Sequence, residues 1–154
     1  MGEVSGAQLV IDSLKREGVD TVYCLPGDPV GDIVNGCPRA GIRVISVRNE
    51  QVAALAAQAH SYLTRSVGVC IAASGVGQTN TLTGIANAYS NCWPLLVIGG
   101  SAELRRRNMG DFQELPQVEY TAPLCKWAHA VESVRRIPTL INIAMKTALA
   151  GRPG

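Results

Sequence analysis

One carboxylate stands where a chain seldom places a charge, directly after an apolar strand-like run. Residues 44–47 read Val-Ile-Ser-Val, Arg48 ends the run, and Asn49 and Glu50 open a segment with helical periodicity. A glutamate in the first turn of a helix complements the helix dipole, with Asn49 as the N-cap. The same carboxylate can also hydrogen-bond a ligand's ring nitrogen and exchange a proton with it, and the residues alone leave both roles open.

A second candidate is a glycine-rich turn between a predicted strand and a predicted helix, Ala73-Ser74-Gly75-Val76-Gly77-Gln78-Thr79-Asn80. Glycines at such a turn let the backbone approach a ligand closely, and free backbone amides can hold an anion. The turn matches neither the phosphate-binding loop, which needs Gly-Lys followed by Ser or Thr, nor the Gly-x-Gly-x-x-Gly dinucleotide fingerprint. Tight packing of the helix on the strand is the alternative explanation of these glycines.

The remaining polar residues do not indicate a metal site or a nucleophile of their own. His60 and His129 have no Asp or Cys at metal-ligand spacing, so we expect no metal site, and a Gly-x-Ser-x-Gly nucleophile motif is absent. The five cysteines form no Cys-x-x-Cys pair, which favours a reducing, intracellular compartment. Phe112 lies in a polar loop, residues 109–119, where it either anchors the loop or carries function.

Composition excludes several classes of protein. The chain has 154 residues, of which 47% are apolar, enough for a hydrophobic core and too many for disorder. Fourteen basic and twelve acidic residues give a formal charge of +2, too balanced to argue for nucleic acid or a membrane surface. The sequence shows no secretory signal pattern and no apolar run of membrane-spanning length.

The elements that position the candidate residues alternate between strand and helix. Apolar runs predict four strands and a weaker fifth, at residues 21–25, 43–47, 67–72, 94–100 and 126–131. This alternation predicts an open α/β fold with a mostly parallel sheet and helices on both faces. Ligands bind beyond the carboxyl ends of the strands in such sheets, which is where Glu50 and the glycine-rich turn are predicted to lie.

Two of the predicted helices carry a clear apolar face. The helix that begins near Glu50 has Val52, Leu55, Ala56, Ala59 and Leu63 on one face. The last helix begins near Pro138, and its predicted buried face contains Ile137, Leu140, Ile141, Ala144 and Ala148.

Taken in order, the segments resemble the N-terminal, pyrimidine-binding domain of thiamine-diphosphate enzymes of the acetolactate synthase and 2-hydroxyacyl-CoA lyase type. They are SGAQLVIDSLKREGVDTVYCLPGDP, RNEQVAALAAQA, AASGVGQTNTLTGIANA, NCWPLLVIGG, GDFQELPQVE and AGRPG. RNEQ, NCWPLLVIGGS and FQE-PQVE are most similar to the 2-hydroxyacyl-CoA lyases. The Phe112-Gln113 pair is typically Tyr-Glu in oxalyl-CoA decarboxylases, and the paired histidines of pyruvate decarboxylases are absent.

The resemblance implies roles for individual residues. In this family the residue matching Glu50 is catalytic: it bonds the ring nitrogen N1′ of the cofactor's aminopyrimidine and so promotes loss of the thiazolium C2 proton. The resemblance also implies that a set of residues lines the pyrimidine site and that a pair faces the substrate, namely Pro26, Gly27, Val76 and Asn80 for the first and Phe112 and Gln113 for the second. Two positions depart from the family pattern, Val76 where Pro is frequent and Asp28 where lyases commonly have an apolar residue.

The resemblance further implies that residues 1–154 form a truncated or excised pyrimidine-binding domain, without the central and diphosphate-binding domains and apparently without its own last strand. The family's Gly-Asp-Gly metal motif is absent from the sequence. Thiamine diphosphate and Mg²⁺ would therefore be held mainly by the diphosphate-binding domain of another subunit or chain. We expect a homo-oligomer and an isolated chain that is inactive.

The activity implied is a carbon–carbon lyase that cleaves 2-hydroxyacyl-CoA to an aldehyde and formyl-CoA. An oxalyl-CoA decarboxylase or acetolactate synthase domain, or a non-catalytic assembly module with this fold, are the alternatives. The resemblance places such an enzyme in the peroxisome of a eukaryote or the cytoplasm of a prokaryote.

Overall fold

The computed structural model describes residues 4–154, and its centre is a four-stranded parallel sheet. The strands are β1 (Thr21–Cys24), β2 (Arg43–Ser46), β3 (Gly68–Ala72) and β4 (Leu95–Gly99), in the order β2-β1-β3-β4. In the parallel ladders Tyr23 lies opposite Ile45, and Cys70 lies opposite Val97. The predicted α/β class and parallel sheet are confirmed.

Seven α-helices connect and cover the strands in the described part of the chain. They are α1 (Gly6–Arg16), α2 (Gly31–Gly36), α3 (Glu50–Thr64), α4 (Val76–Asn80), α5 (Leu82–Asn91), α6 (Gln117–Thr121) and α7 (Ile137–Leu149). The single helix predicted after the glycine-rich turn is two helices, because Thr81 interrupts it and donates its hydroxyl to the carbonyl of Gln78 at 2.7 Å. None of these helices has the length and hydropathy needed to cross a membrane.

The sheet is covered on both faces, and alternating side chains of each strand enter different cores. One core joins the sheet to α1 and α7 and includes Val22, Cys24, Val69 and Ile71. The other joins it to α3 through Cys70 of β3 and the alanines Ala53, Ala54 and Ala57. Burial on both faces explains why these strands read as continuous apolar runs rather than as alternating ones.

The apolar face that spacing identifies on α3 points outward, and the helix buries a different face. Leu63, at the end of the apolar face, is 78% exposed. The buried side chains are small or polar: Glu50, Ala53, Ala54, Ala57, Gln58 and Ser61. Close packing is the physical reason, because a Cβ at Gly68 would collide with the carbonyl of Ala57 and one at Gly84 with the side chain of Ala54.

The face predicted for α7 is largely confirmed. Ile137, Leu140, Ile141 and Ala148 are buried, whereas Ala144 is only half-buried and Met145 takes its place in the core. The unbranched methionine reaches the core from a neighbouring helical position.

The predicted fifth strand, Lys126 to Val131, is wrong. Within the described residues the segment has no regular secondary structure and pairs with no strand. It lies across a groove from β4, and both the segment and the strand line this groove. An extended segment becomes a strand only when a neighbour satisfies its backbone groups, and no strand among residues 4–154 does so here.

Candidate functional site

Glu50 lies where β2 gives way to α3, and it is both a helix-start residue and a buried carboxylate. The side chain of Asn49 caps α3 by accepting a hydrogen bond from the backbone N–H of Gln51 at 2.8 Å. Glu50 is the first helical residue and only 6% exposed. The cap is thus Asn49, and a dipole contact alone would not require the adjacent carboxylate to be buried.

The two oxygens of the Glu50 carboxylate have different surroundings. Asn80, the last residue of α4, donates from Nδ2 to Oε2 at 2.9 Å. Among residues 4–154, Oε1 receives no hydrogen bond, yet it is not sealed from solvent. The carboxylate therefore has one oxygen held by Asn80 and one free to accept a hydrogen bond.

Glycines keep the space beside this free oxygen open. A Cβ at Gly77 would lie 3.1 Å from Oε1 of Glu50 and 2.9 Å from the Cβ of Ala73. A Cβ at Gly27, in the turn after β1, would lie 3.0 Å from the same Ala73 methyl group. Two glycines from two strand-end turns thus press their backbones against one alanine, which leaves the surface next to Glu50 without projecting side chains.

Two residues of α6 hold the glycine-rich turn from the other side. Gly75 donates its N–H to Oε1 of Gln117 at 3.1 Å, and its carbonyl accepts from the hydroxyl of Tyr120 at 3.3 Å. Nε2 of Gln117 also donates to the carbonyl of Gly100 at 2.9 Å. Gln117 therefore ties the turn after β3 to the end of β4, and α4, which carries Asn80, begins directly after Gly75.

Position 75 requires glycine for two reasons. Its φ is +53°, in the region that side chains disfavour, and a Cβ there would collide with the carbonyl of Gln113. Burial raises the pKa of Tyr120 to about 12, so its hydroxyl remains a donor near neutral pH.

Sequence reasoning missed Gln117 and Tyr120. Their three-residue spacing on a short helix was the only signal, and their partners are backbone groups some forty residues away.

The loop that carries Phe112 and Gln113 docks on the same turn. Ser74 donates its hydroxyl to the carbonyl of Phe112 at 3.3 Å, while the aromatic ring is 63% exposed. Glu114 fixes the loop by accepting backbone N–H bonds, with those of Asn108, Gly110 and Asp111 as donors. Those bonds, led by that from Asn108, lower the pKa of Glu114. The ring of Phe112 is therefore not the loop's anchor.

The structure brings some of the predicted site residues into contact and places others nearby. Glu50 contacts Asn80, and Gly27 adjoins the same alanine as Gly77. Gln113 reaches the turn through its backbone. The side chains of Pro26 and Val76 are exposed at the ends of β1 and β3, and no hydrogen bond or glycine contact joins them to Glu50.

One ionisable neighbour of the carboxylate is a neutral thiol, that of Cys70. Burial, followed by the nearby Cys24 and Glu50, raises the pKa of Cys70 to about 12. Cys70 therefore places no negative charge beside Glu50 near neutral pH.

His60 lies farther along α3, and its Nδ1 is 3.1 Å from the hydroxyl of Tyr23, which is a structural contact. No cluster of three or more His, Cys, Asp or Glu side chains able to hold a metal occurs in residues 4–154.

The fold is a parallel α/β domain, and the candidate site lies at the carboxyl ends of its strands, where such domains bind ligands. A model of the family "Thiamine pyrophosphate enzyme, N-terminal TPP binding domain" matches residues 4–120. The chain therefore belongs to this family.

Similarity extends over almost the whole chain. It is 44% identical over 152 residues to human 2-hydroxyacyl-CoA lyase 1, covering 99% of this chain and 26% of that protein. It is 37% identical over 147 residues to the acetolactate synthase large subunit IlvG of Mycobacterium tuberculosis, covering 96% and 27%. It is 34% identical over 151 residues to oxalyl-CoA decarboxylase of Escherichia coli, covering 97% and 27%. The chain spans about a quarter of the length of these relatives.

Family membership implies thiamine diphosphate, and the site fits the pyrimidine part of that cofactor. A flat heterocycle needs a proton-exchanging acid and a surface without projecting side chains. Oε1 of Glu50 and the backbones of Gly27 and Gly77 meet these two needs. For the metal that accompanies the diphosphate, residues 4–154 contain no cluster of three or more His, Cys, Asp or Glu side chains.

Proposed function

We propose that this domain supplies the aminopyrimidine side of a thiamine-diphosphate-dependent lyase that cleaves 2-hydroxyacyl-CoA to an aldehyde and formyl-CoA. The observation that carries the proposal is the buried carboxylate of Glu50, whose Oε2 is held by Asn80 and whose Oε1 is open. The relatives with the printed name 2-hydroxyacyl-CoA lyase, at 36–44% identity, support the choice of substrate class.

Each residue has a distinct task in this proposal. Glu50 holds or shares a proton with the pyrimidine ring nitrogen through Oε1, while Asn80 fixes the orientation of the carboxylate. Gly27 and Gly77 admit the ring, with Pro26 and Val76 at the rim of the same strand-end surface. When bound, thiamine diphosphate supplies a nucleophilic carbon and an electron sink for breaking the bond next to a carbonyl.

We assign Phe112 and Gln113 to the substrate side of the site. Their loop is tied to the glycine-rich turn through backbone contacts, which leaves the exposed ring of Phe112 free to meet another molecule. A large exposed aromatic side chain on a well-fixed loop is suited to bind the apolar part of an acyl group.

The diphosphate and Mg²⁺ would be held by a diphosphate-binding domain of another subunit or chain, and a homo-oligomer follows if that domain belongs to a second copy. The outward apolar face of α3, which includes Val52 and Leu63, begins two residues after Glu50 and offers a surface for such a partner. A carboxylate at the edge of that surface would then act at a site shared by two subunits.

Replacing the matching quarter of human 2-hydroxyacyl-CoA lyase 1 with this chain provides the test. The chimera is expected to cleave a 2-hydroxyacyl-CoA, and Glu50→Gln in the chimera is expected to lower turnover by at least about 100-fold. Glu119→Gln, an exposed glutamate on α6, is the matched control and should leave turnover unchanged. Near-normal turnover of the Glu50→Gln chimera would show that Glu50 is not catalytic and would favour a non-catalytic assembly module.

Product analysis distinguishes the lyase from the related enzymes. Formyl-CoA with an aldehyde supports the proposal. Decarboxylation of oxalyl-CoA, or condensation to acetolactate, would move the assignment to the activities printed for the Escherichia coli and Mycobacterium relatives.

A further inference from the structure

The loop that follows β4 contains as many acidic as basic side chains, but it largely separates the two kinds. Residues 101–116 include three of each: Glu103, Asp111 and Glu114 against Arg105, Arg106 and Arg107. Asp111 and Glu114 are half-buried and accept hydrogen bonds from backbone N–H groups of the loop, whereas all three arginines are exposed. The outer surface of the loop is therefore more basic than the balanced composition of residues 101–116 indicates.

One of the arginines is fixed beside Phe112. Oδ1 of Asp111 accepts from the backbone N–H of Phe112 at 3.0 Å and lies 3.1 Å from Nη2 of Arg106. Because both groups contact one carboxylate oxygen, the guanidinium lies next to the backbone of Phe112. The side chain of Arg106 is still 57% exposed, and a guanidinium has several N–H donors in a planar fork. Arg106 is thus oriented by the loop and keeps part of its donor fork open to solvent.

The other two arginines have no strong partner. Arg105 pairs with Glu103 at 2.7 Å, but the two side chains are 83% and 59% exposed, and such surface pairs contribute little to stability. Arg107 makes no side-chain hydrogen bond or ion pair among residues 4–154. A planar guanidinium with free donors binds a phosphate group through two parallel hydrogen bonds. The chemistry that this surface favours is therefore the binding of phosphate.

We propose that Arg106 and Arg107 bind a phosphate group of the coenzyme A part of the substrate, with Arg105 on the same basic surface. The inference rests on the proposed function, in which Phe112 meets the acyl group of a CoA thioester. The acyl group of a 2-hydroxyacyl-CoA is uncharged, so the phosphates are the anionic groups that this thioester offers to arginines. One loop then contacts two chemically different parts of the substrate, the acyl group through an apolar ring and the nucleotide through guanidinium groups.

The first test is an NMR titration of the 154-residue chain that follows the Nε–H resonances of Arg106 and Arg107. Coenzyme A should shift both resonances saturably, whereas pantetheine, which has the arm but no phosphate, should shift neither. Thiamine diphosphate and inorganic pyrophosphate should bind these arginines at least about ten-fold more weakly, because only coenzyme A adds the arm that leads towards Phe112. Equal affinity for the three would identify a general anion surface and overturn the assignment. Resonances that coenzyme A leaves unmoved would refute the site.

The kinetics of the chimera described above test the role of the arginines in substrate binding. Replacing both Arg106→Gln and Arg107→Gln should raise KM for the 2-hydroxyacyl-CoA by at least about ten-fold and leave kcat nearly unchanged, since substrate and transition state carry the same phosphates. The corresponding acyl-pantetheine thioester, which has no phosphate, should react equally well with the altered and unaltered chimeras. Arg16→Gln is the matched control, because this exposed arginine ends α1 at the opposite end of the sheet, and it should change neither reaction.

A single replacement guards against damage to the loop. Arg107→Gln leaves the pair between Arg106 and Asp111 in place and should raise KM for the CoA thioester by about three-fold. An equal loss of activity with both thioesters would assign the arginines to loop structure alone and overturn the proposal. A chimera inactive on every 2-hydroxyacyl-CoA would instead refute the proposed function, while the NMR titration still decides whether coenzyme A binds at the arginines.

Discussion

At the scale of single residues, the site depends on the absence of side chains beside Glu50 as much as on the Glu50 carboxylate. Glu50 is held by one side chain, Asn80, and the space beside its free oxygen is kept by glycines. Burying a carboxylate is costly unless its oxygens have partners, and only one oxygen of Glu50 has a partner within residues 4–154. The unpaired oxygen is the feature that a merely structural glutamate at a helix start would not need.

Gly77→Ala tests this packing directly. The new methyl group would lie 2.9 Å from the Cβ of Ala73 and 3.1 Å from Oε1 of Glu50, and neither neighbour is the end of a flexible, exposed side chain. We expect a loss of about 1–3 kcal/mol in the free energy of unfolding, measured by urea denaturation. Gly31→Ala is the control, because a Cβ there meets nothing within 4 Å and should be neutral or slightly stabilising. Equal stabilities of the two variants would contradict the packing described.

The loop carrying Phe112 is predicted to depend on pH through Glu114. Backbone N–H donors, first that of Asn108, hold the pKa of this carboxylate below its ordinary value of 4.5, whereas the nearby Asp111 acts against them. A group whose pKa is lowered by folding contributes its stabilisation above the unfolded value and loses it as the pH falls through the folded value. The contribution is thus present at neutral pH and is lost below about 4.5.

The amide proton resonances of Asn108 and Gly110 report this change in an NMR titration. They should move together with a midpoint below 4.5, and Glu114→Gln should abolish the shared transition. Asp111 pairs with Arg106 at 3.1 Å, so Arg106→Gln serves to separate the titration of Asp111 from that of Glu114. A midpoint at or above 4.5 would show that the backbone bonds to Glu114 are not formed in solution.

At the scale of elements, the site is assembled by α6, which lies outside the sheet. Gln117 and Tyr120 bond both backbone groups of Gly75, and the turn that begins at Gly75 leads into α4 and Asn80. Gln117→Leu leaves the N–H of Gly75 and the carbonyl of Gly100 without their partner. We expect a cost of about 1–3 kcal/mol, against about 0.5–1.5 kcal/mol for Tyr120→Phe, which removes one neutral hydrogen bond.

Native-state hydrogen exchange at the amide of Gly75 is the informative measurement. Exchange should accelerate strongly in Gln117→Leu but little in Tyr120→Phe, because only Gln117 accepts from this N–H. Gln51→Leu, an exposed position on α3, controls for the effect of the added apolar side chain. If the Gly75 amide exchanges at the same rate in Gln117→Leu and in the unaltered protein, α6 does not fix the turn.

Sequence reasoning recovered β1 and β3 because both are buried on both faces, so that an uninterrupted apolar run indicates each of them directly. It placed Glu50 at a strand end, since the apolar run stops at Arg48 in the sequence itself. It did not foresee the contact with Asn80, because the two side chains are 30 residues apart in the sequence and meet only in the fold. It also predicted the wrong buried face of α3. The residues that pack closely against the sheet are small or polar, so their hydrophobicity does not mark the buried face.

The failed fifth strand has a related cause. Residues 126–131 have the composition of a strand, but pairing is a property of two segments and not of one. The composition of the segment therefore indicates a strand, but no strand among residues 4–154 pairs with it.

At the scale of the whole molecule, the proposed function gives the described residues one half of a cofactor site. They offer an acid and a flat surface for a heterocycle, but no cluster of metal ligands and no Gly-Asp-Gly motif. We therefore expect the isolated chain to bind thiamine diphosphate with Mg²⁺ only weakly. A Kd no tighter than about 0.1–1 mM corresponds to about 4–5 kcal/mol and is reasonable for contacts to a single ring.

Calorimetry with thiamine and with thiamine diphosphate distinguishes weak binding through the pyrimidine ring from an absence of binding by an unfolded chain. Thiamine and thiamine diphosphate should bind the isolated chain with similar affinity, because the chain contacts the part that they share. Glu50→Gln should weaken both equally, whereas Glu119→Gln should weaken neither. If the diphosphate form binds at least about ten-fold more tightly than thiamine, about 1.4 kcal/mol, this chain must hold a phosphate site of its own. The division of the cofactor between two domains would then be wrong.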